Sequence, residues 1–159
     1  KSMLNETQIS EFKRQGYLML PGLVSETVRG DLLSQLQEWV EESRQHEANY
    51  GFDTPNSKAR FDLEQGHTSS NPRLRRVANP TDISEIYQRL LFEGDLPEVV
   101  SDLIGPNVFF HHCKLNNKFT GAGTRVEYPA DHPFDPHTND DVITVRLSLD
   151  DMDEGNGCA

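Results

Sequence analysis

The chain is poor in cysteine, with Cys113 and Cys158 its two in 159 residues, and their spacing is not that of a metal site. Two thiols cannot build a disulfide framework, so an intracellular, cytoplasmic setting is expected. Long apolar runs are missing too. The longest hold a handful of residues, far short of the ~20 that cross a bilayer. The opening Lys1-Ser2-Met3-Leu4-Asn5-Glu6 turns polar too soon for a signal peptide. Basic residues are scarce: 15 Lys+Arg stand against 26 Asp+Glu, a formal charge of −11. That balance argues against nucleic acid, whose phosphates need a basic surface, and against an anionic membrane. Repeats and low-complexity tracts are absent as well. What remains is a length suited to one domain with a core of its own.

Local signals give an order of elements. Asn5 with Gln8 forms a capping box ahead of a helix from about Glu6 to Gln15, and Gly16 suits its end. Tyr17-Leu18-Met19-Leu20 reads as a strand halted by Pro21-Gly22. Ser25 opens a longer helix with Val28, Leu32, Leu33, Leu36, Trp39 and Val40 on one face, the strongest periodic signal in the chain. Residues 49–80, rich in Gly and Pro, read as a long loop carrying Arg60, Arg73, Arg75 and Arg76. Asp82 is expected to cap a helix bearing Ile83, Ile86, Tyr87, Leu90 and Leu91, and a short helix follows over Pro97–Ile104. Then the character changes. Val108–Leu115, Thr124–Tyr128 and Val142–Leu149 read as strands, the last alternating Ile143, Val145, Leu147 and Leu149 with polar positions. Helices first and strands later make an α+β pattern, helical to about 106 and stranded over 107–159.

The chemistry-bearing residues crowd one stretch. His111, His112, Asp131, His132, Asp135, His137, Asp140 and Asp141 fall within thirty-one residues. Imidazole and carboxylate are the donors that hold non-haem Fe(II), commonly as two His and one carboxylate on one face. An acidic loop also gathers such residues by composition alone. Arg73, Arg75 and Arg76 stand out in an acidic chain and suit a small anionic substrate, against the plainer reading of a solvated basic loop.

Three segments carry a resemblance. Phe12-x4-Tyr17-Leu18-Met19-Leu20-Pro21-Gly22-Leu23 opens it. His111-His112-Cys113-Lys114-Leu115-Asn116-Asn117-Lys118, with Gly121 and Gly123, continues it. Val142-Ile143-Thr144-Val145 leading to Leu149-Asp150-Asp151 and Asn156-Gly157-Cys158 closes it. In this order they resemble the phytanoyl-CoA dioxygenase-like family of Fe(II)/2-oxoglutarate-dependent oxygenases. The resemblance implies a double-stranded β-helix, a jelly-roll or cupin-like barrel. It also implies iron held by a His-x-Asp motif and a distal His, and 2-oxoglutarate gripped by an Arg beyond that His. The implied activity is oxidative hydroxylation of a small organic or acyl substrate.

Carried onto this chain, the resemblance makes Asp131 the carboxylate ligand, with Pro129 standing where the family has its first His. Proline offers no donor to a metal. Asn116 and Ser148 match positions that line the 2-oxoglutarate site, while Lys114 and Lys118 match motif positions without an assigned role. His137, His111 and His112 are weaker substitutes for the missing imidazole. The distal His and its Arg find no counterpart before Ala159. Four strands against the roughly eight of a jelly roll suggest a barrel truncated at its C-terminal side. The expectation is therefore an oxygenase of this class incomplete for iron chemistry. The alternative is an inactive relative or fragment acting as a binding domain. Oligomeric state is left open.

Overall fold

A computed structural model describes residues 2–119 and 141–153 of the chain. Helix α1, Glu6–Gln15, starts where its capping box predicts: the Asn5 side chain accepts from the Gln8 amide, and the Gln8 side chain answers to the Asn5 amide. It ends at Gly16, whose φ of 80° lies in the left-handed region that costs glycine least. Helix α2, Glu26–Ser43, begins behind Ser25, whose hydroxyl accepts from the Val28 amide. Strands β1, Phe61–Leu63, and β2, Leu74–Ala78, follow, and a 3-10 turn over Pro80–Asp82 leads to α3, Glu85–Phe92, and α4, Asp95–Ile104. Strand β3, Lys114–Asn116, completes an antiparallel sheet in the order β1-β2-β3. The architecture is α+β.

The sheet has two chemically different faces. Phe61 lies opposite Val77, and Val77 opposite Leu115, so these three share the side that meets the helices. There they join Leu32 and Trp39 of α2, Leu74, and Tyr87 of α3 in a single buried cluster. Trp39 meets Phe61 edge-on at 6.1 Å and stacks on Tyr87 at 5.6 Å between ring centroids. Gly51 lets the chain pass close over this cluster. Its φ is 73°, and a Cβ there would lie 2.9 Å from the Phe61 ring.

Several expectations need correction. Residues 49–80 are not one loop: they contain β1 and β2, hidden because β1 has three residues and a bulge between Asp62 and Leu63 breaks the alternation. Tyr17–Leu20 forms no strand, and Tyr17 and Met19 are exposed, because no described segment pairs with it. Asp82 caps nothing. It sits in the 3-10 turn and pairs with Arg60, while Ser84 takes the N-cap position of α3 and spends its hydroxyl on Gln35 Oε1. Of the Val108–Leu115 stretch only Lys114 and Leu115 are strand, as the first two residues of β3. Val142–Leu149 lies outside any strand, with Val145 and Leu147 exposed rather than buried, since no described residue offers it a ladder. The proposed strand Thr124–Tyr128 lies outside the described residues.

Candidate functional site

Arg60, the residue just before β1, is the most deeply placed charge among the described residues, 2% exposed. Its guanidinium donates to Asp53, to Asp82 and to the carbonyls of Ala78 and Asn79, which uses its planar fork almost fully. Burial works against its charge, but the bonds from Asp53 and Asp82 outweigh it and hold its pKa above the ordinary value. The hydrogen bond from Arg60 in turn keeps the Asp53 carboxyl below the usual carboxylate range. Asn79, at φ 44°, continues the chain of contacts. Its amide donates to the Cys113 carbonyl, and its Oδ1 accepts from the Cys113 amide. The hub thus fixes where the segment leading into β3 crosses the sheet.

Beside the hub lies the polar face of the sheet. Asp62 stands opposite Arg76, and Arg76 opposite Asn116, so their side chains emerge on the same side. The bulge makes Arg75 the extra residue of β2, which lets both arginines reach Asp62. The Asp62 side chain is 7% exposed, whereas those of Arg75 and Arg76 are 38% and 37% exposed. Asp62 is therefore an internal tether that holds two half-open guanidinium groups in place. One donor is left over: Arg76 Nε is buried and has no hydrogen-bond partner. Lys114, exposed on β3 opposite Ala78, falls on this face as well. Arg75, Arg76 and Lys114 outnumber Asp62 here, a local positive excess in a chain of charge −11. Such a surface suits a small oxyanion, because guanidinium presents paired donors to carboxylate or phosphonate oxygens.

Two cavities flank α2. One of ≈ 370 Å³ lies between α2 and the segment after β3, lined among others by Leu36, Val40, Lys118, Phe119 and Asp150. The other, ≈ 440 Å³, sits at the C-terminal end of α2 beside His67. His67 is a structural tie: Nε2 bonds to the Ser43 and His46 carbonyls, and Nδ1 accepts from the Arg73 amide.

The residues singled out by sequence are distributed unevenly. Arg75, Arg76 and Asn116 come together on the polar sheet face, while Arg73 points elsewhere, donating to the Gln65 carbonyl and lying 5.8 Å from the Phe119 ring centroid. Ser148 is exposed and bonds to Met152 Sδ at 3.0 Å. His111 and His112 are exposed and turn their Nδ1 atoms toward each other at 2.6 Å. Pro129, Asp131 and His137 lie outside the described residues, and among the described residues no three His, Cys, Asp or Glu side chains gather as a metal set. Sequence reasoning missed Arg60 and Asp62 as partners. Their signal was the close spacing of Asp53, Arg60 and Asp62 ahead of the arginine run, which pairs sign with sign once two strands are assumed.

The family model for phytanoyl-CoA dioxygenase (PhyH) matches residues 12–159. The chain belongs to the phytanoyl-CoA dioxygenase family. Three curated relatives are similar to it in sequence. A probable alpha-ketoglutarate-dependent hypophosphite dioxygenase of Stutzerimonas stutzeri is 32% identical over 67% of this chain and 36% of its own length. A methylphosphonate hydroxylase of Gimesia maris is 26% identical, covering 98% of this chain and 54% of that protein. A 2-aminoethylphosphonate dioxygenase of an uncultured bacterium, HF130_AEPn_1, is 25% identical over 99% of this chain and 56% of its own. The chain thus spans from about a third to just over half of these relatives. No solved structure matches it. For the phytanoyl-CoA dioxygenase family a jelly-roll barrel is implied, and β1–β3 supply an antiparallel, helix-backed sheet. Fe(II) and 2-oxoglutarate are the cofactors implied by membership. No helix among the described residues is long and apolar enough to cross a membrane.

Proposed function

We propose that this chain forms the anion-receiving part of an Fe(II)/2-oxoglutarate-dependent dioxygenase that acts on a small phosphorus oxyanion such as a phosphonate. The supporting observation is the polar sheet face, where Asp62 pre-orients Arg75 and Arg76, and Arg76 Nε has no partner. Relatives named for hypophosphite, methylphosphonate and 2-aminoethylphosphonate share the same requirement, a compact oxyanion to be held. In this reading Arg75 and Arg76 bind the anion and orient it, Lys114 adds long-range attraction, and the buried core face keeps the strands rigid. Asn116 and Ser148 are assigned to the 2-oxoglutarate side. Bound iron would supply the oxidising chemistry, with Asp131 as its carboxylate donor and His137, His111 and His112 as the weaker candidates.

Pro129 favours a second reading. With no imidazole at that position, one donor of the family set is missing, and the chain would then serve as a binding domain with little or no turnover. Succinate formation separates the two. With Fe(II), ascorbate, 2-oxoglutarate and methylphosphonate, the protein is expected to turn over little, and Pro129→His is expected to raise the rate at least tenfold. Strong turnover by the parent that Pro129→His does not improve would remove Pro129 from the ligand position. No turnover by either protein, with methylphosphonate still bound, would leave the binding domain.

A further inference from the structure

Asp62 uses its two oxygens unequally. The contacts from Arg75 and from Arg76 both converge on Oδ2, and among the described residues no hydrogen bond reaches Oδ1. Nor is Oδ1 sealed. The buried side-chain polar atoms that lack a partner among the described residues are Tyr50 Oη, Arg76 Nε and Tyr87 Oη. The 7% of the Asp62 side chain that stays exposed therefore includes Oδ1. Because the bulge brings Arg75 and Arg76 to this one carboxylate, an oxyanion seated on their guanidinium groups meets an acceptor beside the donors. An ionised carboxylate only accepts. It repels a bare oxyanion oxygen but forms a charge-assisted hydrogen bond with an O–H.

We infer that Asp62 determines specificity: through Oδ1 it selects oxyanions that keep an O–H, such as a singly protonated phosphonate, over those that have none. This selectivity rests on the proposed oxyanion site and narrows the ligands it takes. A phosphonate monoanion turns two bare oxygens to the guanidinium groups and its hydroxyl to Asp62. Arg75, Arg76 and Lys114 supply the attraction common to every anion, so discrimination falls to the carboxylate. Methanesulfonate has nearly the same shape and the same single charge as the methylphosphonate monoanion, but no proton to donate. Hypophosphite carries its hydrogens on phosphorus and falls with methanesulfonate. Of the anions in the relatives' names, the two phosphonates fit this site and hypophosphite does not.

The test is calorimetric titration of the full chain with methylphosphonate and with methanesulfonate, in one mildly acidic buffer where methylphosphonate keeps a proton. The parent is expected to bind methylphosphonate about tenfold more tightly or better, the worth of one charge-assisted hydrogen bond. Asp62→Asn puts an amide in place of the acceptor-only group, and its N–H can meet a bare oxygen, so the preference should shrink to about twofold or less. The ratio of the two affinities is the readout, because a general loosening of the arginines weakens both anions alike. Equal affinities in the parent would overturn the selectivity and leave the oxyanion site standing. So would an Asp62→Asn protein, folded by its melting curve, that keeps the parent's ratio. Binding of neither anion by the parent would remove the site and the selectivity together.

Discussion

The two faces of one three-stranded sheet do opposite work. Phe61, Val77 and Leu115 look inward to Trp39, Leu32 and Tyr87, and their burial supplies stability at roughly 1.5–3 kcal/mol for each large side chain. Asp62, Arg76 and the neutral Asn116, one residue away along the same strands, make a polar face on which the Arg76 charge is partly solvated and held by the buried Asp62. Partly exposed ion pairs contribute little to stability. The polar face is therefore free to be shaped by what it binds, while the other face is shaped by packing.

If that division holds, the largest effect comes from the inner face. Leu74→Ala, at a fully buried position, should cost about 2–5 kcal/mol in urea denaturation. Anion affinity measured below the transition should stay nearly constant. Gly51→Ala attacks the same face from above. It combines a disfavoured φ with contact on Phe61 and should cost about 1–3 kcal/mol. On the polar face the pattern should invert. Asp62→Asn loosens both arginines for a cost of only about 1–2 kcal/mol, since each guanidinium can turn to water. The same change should weaken anion binding, because the two guanidinium groups lose the carboxylate that orients them, which calorimetry reads directly. An Asp62→Asn protein that unfolds, or binds as tightly as the parent, would erase the contrast.

The smallest effect is acid sensitivity at the edges. Asp53 and Asp102 both have folded pKa values below the ordinary 3.8, Asp53 through the hydrogen bond from Arg60 and Asp102 through the amides of Leu4 and Met3. A lowered folded value means that the carboxylate stabilises above the unfolded pKa and loses that contribution as pH falls through the folded one. Amide exchange at Met3 and Leu4 should accordingly stay slow near neutrality and quicken, beyond the intrinsic pH dependence, only below about pH 4. Acceleration already at pH 6 would point to a different anchor.

The helices were legible because capping and periodicity are local. Asn5, Gln8, Gly16 and Ser25 each mark a boundary that the structure keeps. The hairpin in residues 49–80 was not legible, because three residues cannot display a period of two and the bulge after Asp62 breaks what alternation there is. For the same reason the arginine run read as loop charge. Its partner, Asp62, lies thirteen residues from Arg75, and pairing at that distance in sequence is set by register. Val142–Leu149 shows the reverse error. Its alternation is clear in sequence, but a strand exists only through its neighbours, and alternation does not name them.

On the proposed reading, the polar face binds an oxyanion through Arg76 without supporting the fold. Titrating methylphosphonate into the parent and Arg76→Gln proteins, with melting curves recorded on the same samples, separates the two roles. Arg76→Gln should melt close to the parent and bind at least tenfold more weakly, about 1.4 kcal/mol. Equal affinity in the two proteins, or a collapse of the melting temperature in Arg76→Gln, would contradict it.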